Sequence, residues 1–117
     1  MEIREQAEVG YITLVPEGEL DANSSVYLDA KISELLKAGQ VNVHVDFSEV
    51  NYISSAGLGV FISYLDEFKR KGGKLIISQV ADNVRDVFSI LGLDRLLTIL
   101  DSGVAVAPHF DASPASN

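Results

Sequence analysis

Val41-Asn42-Val43-His44-Val45-Asp46-Phe47 alternates apolar and polar side chains without a break. That is the period-two pattern of a strand with one buried face, which Val41, Val43, Val45 and Phe47 share. Downstream, after Asn51-Tyr52-Ile53, the run Ser54-Ser55-Ala56-Gly57 opens a segment with apolar residues at Leu58, Phe61, Ile62, Leu65 and Phe68. This is the stripe of an amphipathic helix. Lys69, Arg70 and Lys71 occupy its last turn, where cations favour the negative end of the helix dipole, and Gly72-Gly73 stops it. A strand leading through a short loop into a helix is half of a β-α-β unit.

Working upstream, Ser25 to Ala38 carries Leu28, Ile32, Leu35 and Leu36 at helical spacing and ends at Gly39. Asp21, Asn23 and Ser24 are candidate N-cap residues for it. Glu17-Gly18-Glu19-Leu20-Asp21 reads as an acidic loop. Before Pro16, Tyr11-Ile12-Thr13-Leu14-Val15 is rich in β-branched and aromatic residues and follows Gly10, which predicts a hairpin with the first stretch of the chain. Working downstream, Leu75-Ile76-Ile77 is a short buried strand. Asp82 to Leu91 is a helix through Val84, Val87 and Phe88, stopped by Gly92, and Leu96 to Leu100 is a last strand.

The predicted order is β-β-α-β-α-β-α-β: a small single α/β domain, with a mixed, mostly parallel sheet packed against helices and right-handed crossovers. The domain is expected to span residues 1–107. Residues 108–117, with Pro108, Pro114 and several Ala and Ser, are expected to form a flexible tail.

The 117 residues suffice for one domain with a core, without disulfide or metal staples. Cysteine is absent, which removes thiolate metal sites, iron–sulfur ligation and a cysteine nucleophile. The formal charge is −8, from 17 acidic and 9 basic residues, and residues 1–60 hold ten of the acids and three of the bases. That sign opposes binding to nucleic acid or to an anionic membrane. No signal-peptide pattern or apolar run of membrane-spanning length is present, so a cytoplasmic protein without direct membrane insertion is expected.

Enzyme readings fail on what they require. Ile53-Ser54-Ser55-Ala56-Gly57 lacks the first glycine of a nucleophile elbow. The two histidines, His44 in the strand and His109 in the tail, read as a half-exposed strand residue and a solvated tail residue. No His or acidic pair has metal-ligand spacing, and Gly72-Gly73-Lys74 follows a helix instead of preceding one, so no cofactor is expected. What remains is a pair of serines at a helix start. The first amides of a helix lack internal partners and lie at its positive end, so a phosphoryl group there is stabilised locally and adds charge without melting the helix. Taken residue by residue, the serines fit either that role or plain capping.

The run Asp46-Phe47-Ser48-Glu49-Val50-Asn51-Tyr52-Ile53-Ser54-Ser55-Ala56-Gly57-Leu58-Gly59-Val60 resembles the signature of STAS domains, specifically the bacterial anti-sigma factor antagonists. Glu17-Gly18-Glu19-Leu20-Asp21 resembles the family's loop before the first helix, and Val84 to Leu97 its third helix and following turn. The resemblance implies a phosphorylation-controlled binding protein, not an enzyme, that takes part in partner switching. The unphosphorylated form would bind a serine kinase of the histidine-kinase-like ATPase fold that doubles as an anti-sigma factor. Phosphorylation would release it, and a metal-dependent serine phosphatase would reset the cycle. Carried onto this chain, the phosphoacceptor is Ser55, and Asp21, Asn23, Ser54, Ala56, Gly57 and Leu58 form the partner-binding surface. Many switching members carry Asp immediately before the phosphoserine; Ser54 stands there here, which makes it a rival acceptor. The family's charged C-terminal helix has no counterpart in Gly103 to Pro108. The alternative is a non-switching STAS scaffold or an accessory subunit of a transporter or sensory complex.

Overall fold

The computed structural model describes residues 1–111. Five strands form the main sheet in the order β1-β2-β4-β6-β7. Strands β1 (Ile3–Ala7) and β2 (Ile12–Pro16) make the expected hairpin, with Ile3 opposite Pro16 and Ala7 opposite Ile12. β2, β4 (Asn42–Asp46), β6 (Lys74–Ser78) and β7 (Thr98–Ile99) run parallel. The register places Ile12, Val43 and Leu75 in one row and Leu14, Val45 and Ile77 in the next. All six share one face, and they are buried with α1 (Ser25–Lys37), α2 (Ser55–Arg70) and α3 (Asp82–Ile90) in a single core. Phe47, just past β4, lies between Phe61 of α2 and Phe88 of α3, with ring centroids 5.7 and 6.2 Å away.

The structure adds two short strands where the sequence reading has loop. Gly18–Leu20 is β3 and Val50–Ile53 is β5, and they pair in parallel as a separate two-stranded sheet with Leu20 opposite Ile53. Each is short and half polar, so neither shows an apolar period by itself; they exist because each satisfies the other's backbone. A single 3-10 turn, Leu93–Arg95, precedes β7 and shortens the last strand to two residues.

The other face of the sheet differs more from expectation. His44 is buried at 6% exposure, not half-exposed. Its Nδ1 is hydrogen-bonded to Thr13 Oγ1 at 3.0 Å and its Nε2 to Ser78 Oγ at 2.6 Å. The cover comes from the carboxyl end, where the flexible tail expected from residue 108 is replaced, as far as Asp111, by helix α4 (Ala107–Asp111). Phe110 stacks on Tyr11 at 4.6 Å, Tyr11 meets His44 edge-on, and Lys74 Nζ donates to the His109 carbonyl at 2.8 Å. Strand alternation therefore marks two faces here, both covered, instead of one core face and one wet face. The rest of the expected tail, residues 112–117, lies outside the described residues.

Candidate functional site

The parallel pairing of β3 with β5 builds the site. Because Leu20 is opposite Ile53, the next residue on each strand, Asp21 and Ser54, leaves the small sheet at the same end. The Ser54 amide donates to the Leu20 carbonyl at 2.8 Å, tying the start of α2 to the end of β3. Ser54 has extended backbone (φ −97°, ψ 174°), and its Oγ accepts from the Gly57 amide at 3.3 Å, the geometry of an N-cap. Its carbonyl accepts from the Leu58 amide at 3.0 Å.

Ser55 is the first helical residue. It is exposed, and its hydroxyl has no hydrogen-bond partner among the described residues. The amides of Ser55 and Ala56 point out of the helix start, where no intrahelical carbonyl can reach them. The two adjacent serines thus divide the work: one oxygen is committed to the cap and the other is free.

Gly57 is required by close approach. A Cβ on it would stand 2.9 Å from both the Leu20 carbonyl oxygen and Ile53 Cγ1. The helix start is seated directly on the β3–β5 pair, which a side chain at 57 would lift.

Asp21 holds the neighbouring loop. Its Oδ1 accepts from the amides of Asn23 at 3.0 Å and Ser24 at 2.9 Å, and from the Ser24 hydroxyl at 3.1 Å. The Ser24 amide, first among these donors, pulls the Asp21 carboxyl below its ordinary value. In return the Asp21 amide donates to Ser24 Oγ at 2.9 Å, and the Ser25 amide donates to the Asp21 carbonyl. Of the three cap candidates, Ser24 occupies the cap position of α1, but its hydroxyl serves this turn and no amide of the helix. Asn23 is exposed beside it.

Of the residues assigned to the partner surface, Asp21, Asn23, Ser54 and Ala56 reach the surface at this end of the molecule, whereas Gly57 and Leu58 are buried beneath it. Leu58 therefore shapes the surface from below instead of presenting a contact. Sequence reasoning missed apolar groups that are exposed around the site: Ile62 at 44%, Tyr52 at 49%, and Val26 and Tyr27 at 57% each. Ile62 shares a helix face with Ser55 and Gly59, at spacings of seven and three residues. The signal available was the width of the α2 stripe, since Phe61 and Ile62 cannot both lie at its centre.

Tyr64 of α2 donates to the Asp29 carboxylate and carbonyl, linking α2 to α1 behind the site. Burial, then the bond to Asp29, pushes the Tyr64 phenol up to about 12. Among the described residues, no group of three or more His, Asp or Glu side chains is placed to hold a metal ion, and no helix is long and apolar enough to cross a membrane.

A small α/β domain with a mixed sheet and a serine-capped second helix is the architecture of the STAS domain, and the family model for that domain matches residues 1–107. The chain belongs to this family, and within it to the anti-sigma factor antagonists. The anti-sigma-B factor antagonist of Listeria monocytogenes is 30% identical over 103 residues, covering 85% of this chain and 86% of that protein. That of Bacillus subtilis is 30% identical over 82 residues, covering 70% and 74%. Among solved structures, the protein TM1081 superposes with a TM-score of 0.82 at 22% identity, over 97% of this chain and 91% of that one. The Bacillus antagonist SpoIIAA in its phosphorylated form gives 0.70 at 20% identity, over 94% and 97%. At those identities the two structures speak for the fold. The relatives by sequence are regulatory binding proteins.

Proposed function

We propose that this chain is a phosphorylation-controlled antagonist: unmodified, it binds a serine kinase that doubles as an anti-sigma factor and so frees that factor's target, and phosphorylation of Ser55 reverses the binding. The observation that carries the reading is the division between Ser54, whose oxygen accepts the Gly57 amide, and Ser55, exposed and unengaged. The kinase would be of the histidine-kinase-like ATPase fold, and a metal-dependent serine phosphatase would reset the switch; both partners come from the family resemblance.

In the transfer step Ser55 Oγ attacks the γ-phosphorus of ATP, the bond to the bridging oxygen breaks, ADP leaves, and the hydroxyl proton passes to a base on the kinase. The product carries between about −1.5 and −2 added charges. They fall where the helix dipole and the unpaired amides of Ser55 and Ala56 can stabilise them, so the fold is retained while the docking face gains negative charge and volume. The exposed apolar groups Tyr52 and Ile62 supply contact area in the unmodified state. A phosphate among them must be desolvated for the same partner to bind, which favours release.

The test is a pull-down with the serine kinase and ATP. Wild-type protein should bind and then dissociate as it is phosphorylated, Ser55→Ala should stay bound, and Ser55→Asp should bind weakly. Binding indifferent to Ser55→Asp contradicts the proposal and favours the scaffold reading, in which the serines only cap.

A further inference from the structure

The opposite end of α2 has features that the switch does not use. Ser55 and Lys69 lie about 21 Å apart along the helix at 1.5 Å per residue. There, two contiguous depressions of about 170 and 410 Å³ share Leu65, Lys69 and Leu96 as lining; the larger is also lined by Asp66, whose carboxylate is paired with Arg70 at 3.0 Å. Leu96 is 64% exposed, a large apolar side chain on the rim. The depression exists because β7 is only two residues long and pairs with Ile76 and Ile77, which leaves the edge of β6 beside Lys74 and Leu75 without a strand. Its floor is firm: a Cβ on Gly73 would lie 1.8 Å from the Val41 carbonyl oxygen, so the backbone there packs tightly against the neighbouring chain segment.

The charge at this place runs against the rest of the molecule. Four of the nine basic residues of an otherwise acidic chain fall between 69 and 74. Two are neutralised within the helix, Arg70 by Asp66 at 3.0 Å and Lys71 by Glu67 at 3.5 Å. The other two line the groove without a carboxylate partner among the described residues: Lys69 has none, and Lys74 meets only the His109 carbonyl. An apolar trough flanked by two uncompensated ammonium groups complements an occupant with apolar side chains and carboxylates in alternation. An anionic polymer without apolar side chains would leave Leu96 uncovered.

We propose that this groove docks an acidic amphipathic segment of a partner protein, with apolar side chains on Leu65 and Leu96 and carboxylates against Lys69 and Lys74. The surface is separate from the Ser55 face, so both can be occupied at once, and the inference does not rest on the phosphorylation reading.

The experiment is an amide-resolved NMR titration of the full chain with a short synthetic peptide that places Leu and Phe on one face and Asp and Glu on the other. Shifts should be confined to residues 65–75 and 96–98. Affinity should fall with added salt, and roughly tenfold with Lys69→Glu combined with Lys74→Glu. Leu96→Gln should weaken binding as well, and because Leu96 is exposed this variant decides the matter if the double variant does not fold. Ser55→Asp should leave peptide binding unchanged. The proposal is overturned if shifts are absent or fall at the amino end of α2, if a peptide with Asn and Gln in place of Asp and Glu binds equally well, or if the groove resonances move on simple dilution, which would make a second copy of this chain the occupant.

Discussion

The carbonyl oxygen of Leu20 lies 2.9 Å from the point where a Cβ on Gly57 would stand, and the same oxygen accepts the Ser54 amide. The position of the serine pair thus depends on a glycine and on a strand outside the main sheet. Gly57→Ala is predicted to destabilise the domain by about 1–3 kcal/mol, as overpacking does, and to displace the cap. Gly59, with nothing within 4 Å of its would-be Cβ, is the control. Gly59→Ala should gain up to about 1 kcal/mol from helix propensity. Urea unfolding of the two variants checks both signs.

The two serines should separate in stability as they do in geometry. Ser54→Ala removes the oxygen that accepts the Gly57 amide and is predicted to cost about 1 kcal/mol. Ser55→Ala removes an exposed, unengaged hydroxyl and should stay within about 0.5 kcal/mol of wild type. Equal costs in thermal unfolding would contradict the division of roles.

His44 predicts a pH dependence. Burial holds its imidazole below the ordinary value of 6.5, against weaker opposing contributions from Asp46 and Glu8. The unfolded chain therefore binds the proton more readily than the folded one. The resulting stability is fully present above about pH 6.5 and is lost as pH falls through the unfolded value towards the folded one. Stability measured across mildly acidic pH should drop more steeply for wild type than for His44→Gln. Asp21 acts in the same direction at lower pH: its carboxyl is held below 3.8, so what it contributes is present above that value and lost below it.

Tyr64 works from the alkaline side. Its phenol is raised from 10.0 to about 12, so the folded form resists ionisation and stability falls as pH rises above 10. In a spectrophotometric titration, Tyr64 should ionise late, and Tyr64→Phe should remove that late component.

What could be read from the residues follows from how local each signal is. β4 was legible because Val43 and Val45 alternate with polar neighbours, and α1 and α2 because their stripes are long and end at glycines. β3 and β5 were not, because Gly18–Leu20 and Val50–Ile53 are strands only through each other. The burial of His44 was hidden for a related reason: its cover, Tyr11 with Phe110, comes from segments remote in sequence. At the site, Ser54, Ser55 and Gly57 were legible as a capped helix start. The exposed apolar rim was not, since Ile62 and Val26 carry the same periodic signal whether they face a core or a solvent-exposed surface.

The central claim is that the free hydroxyl of Ser55, and not the capping hydroxyl of Ser54, takes the phosphate. Site mapping by tandem mass spectrometry after incubation with the serine kinase and ATP tests it directly. A single phosphate on Ser55 in wild type and in Ser54→Ala, with none in Ser55→Ala, is the predicted result. Phosphate on Ser54, or modification that persists in Ser55→Ala, would contradict it.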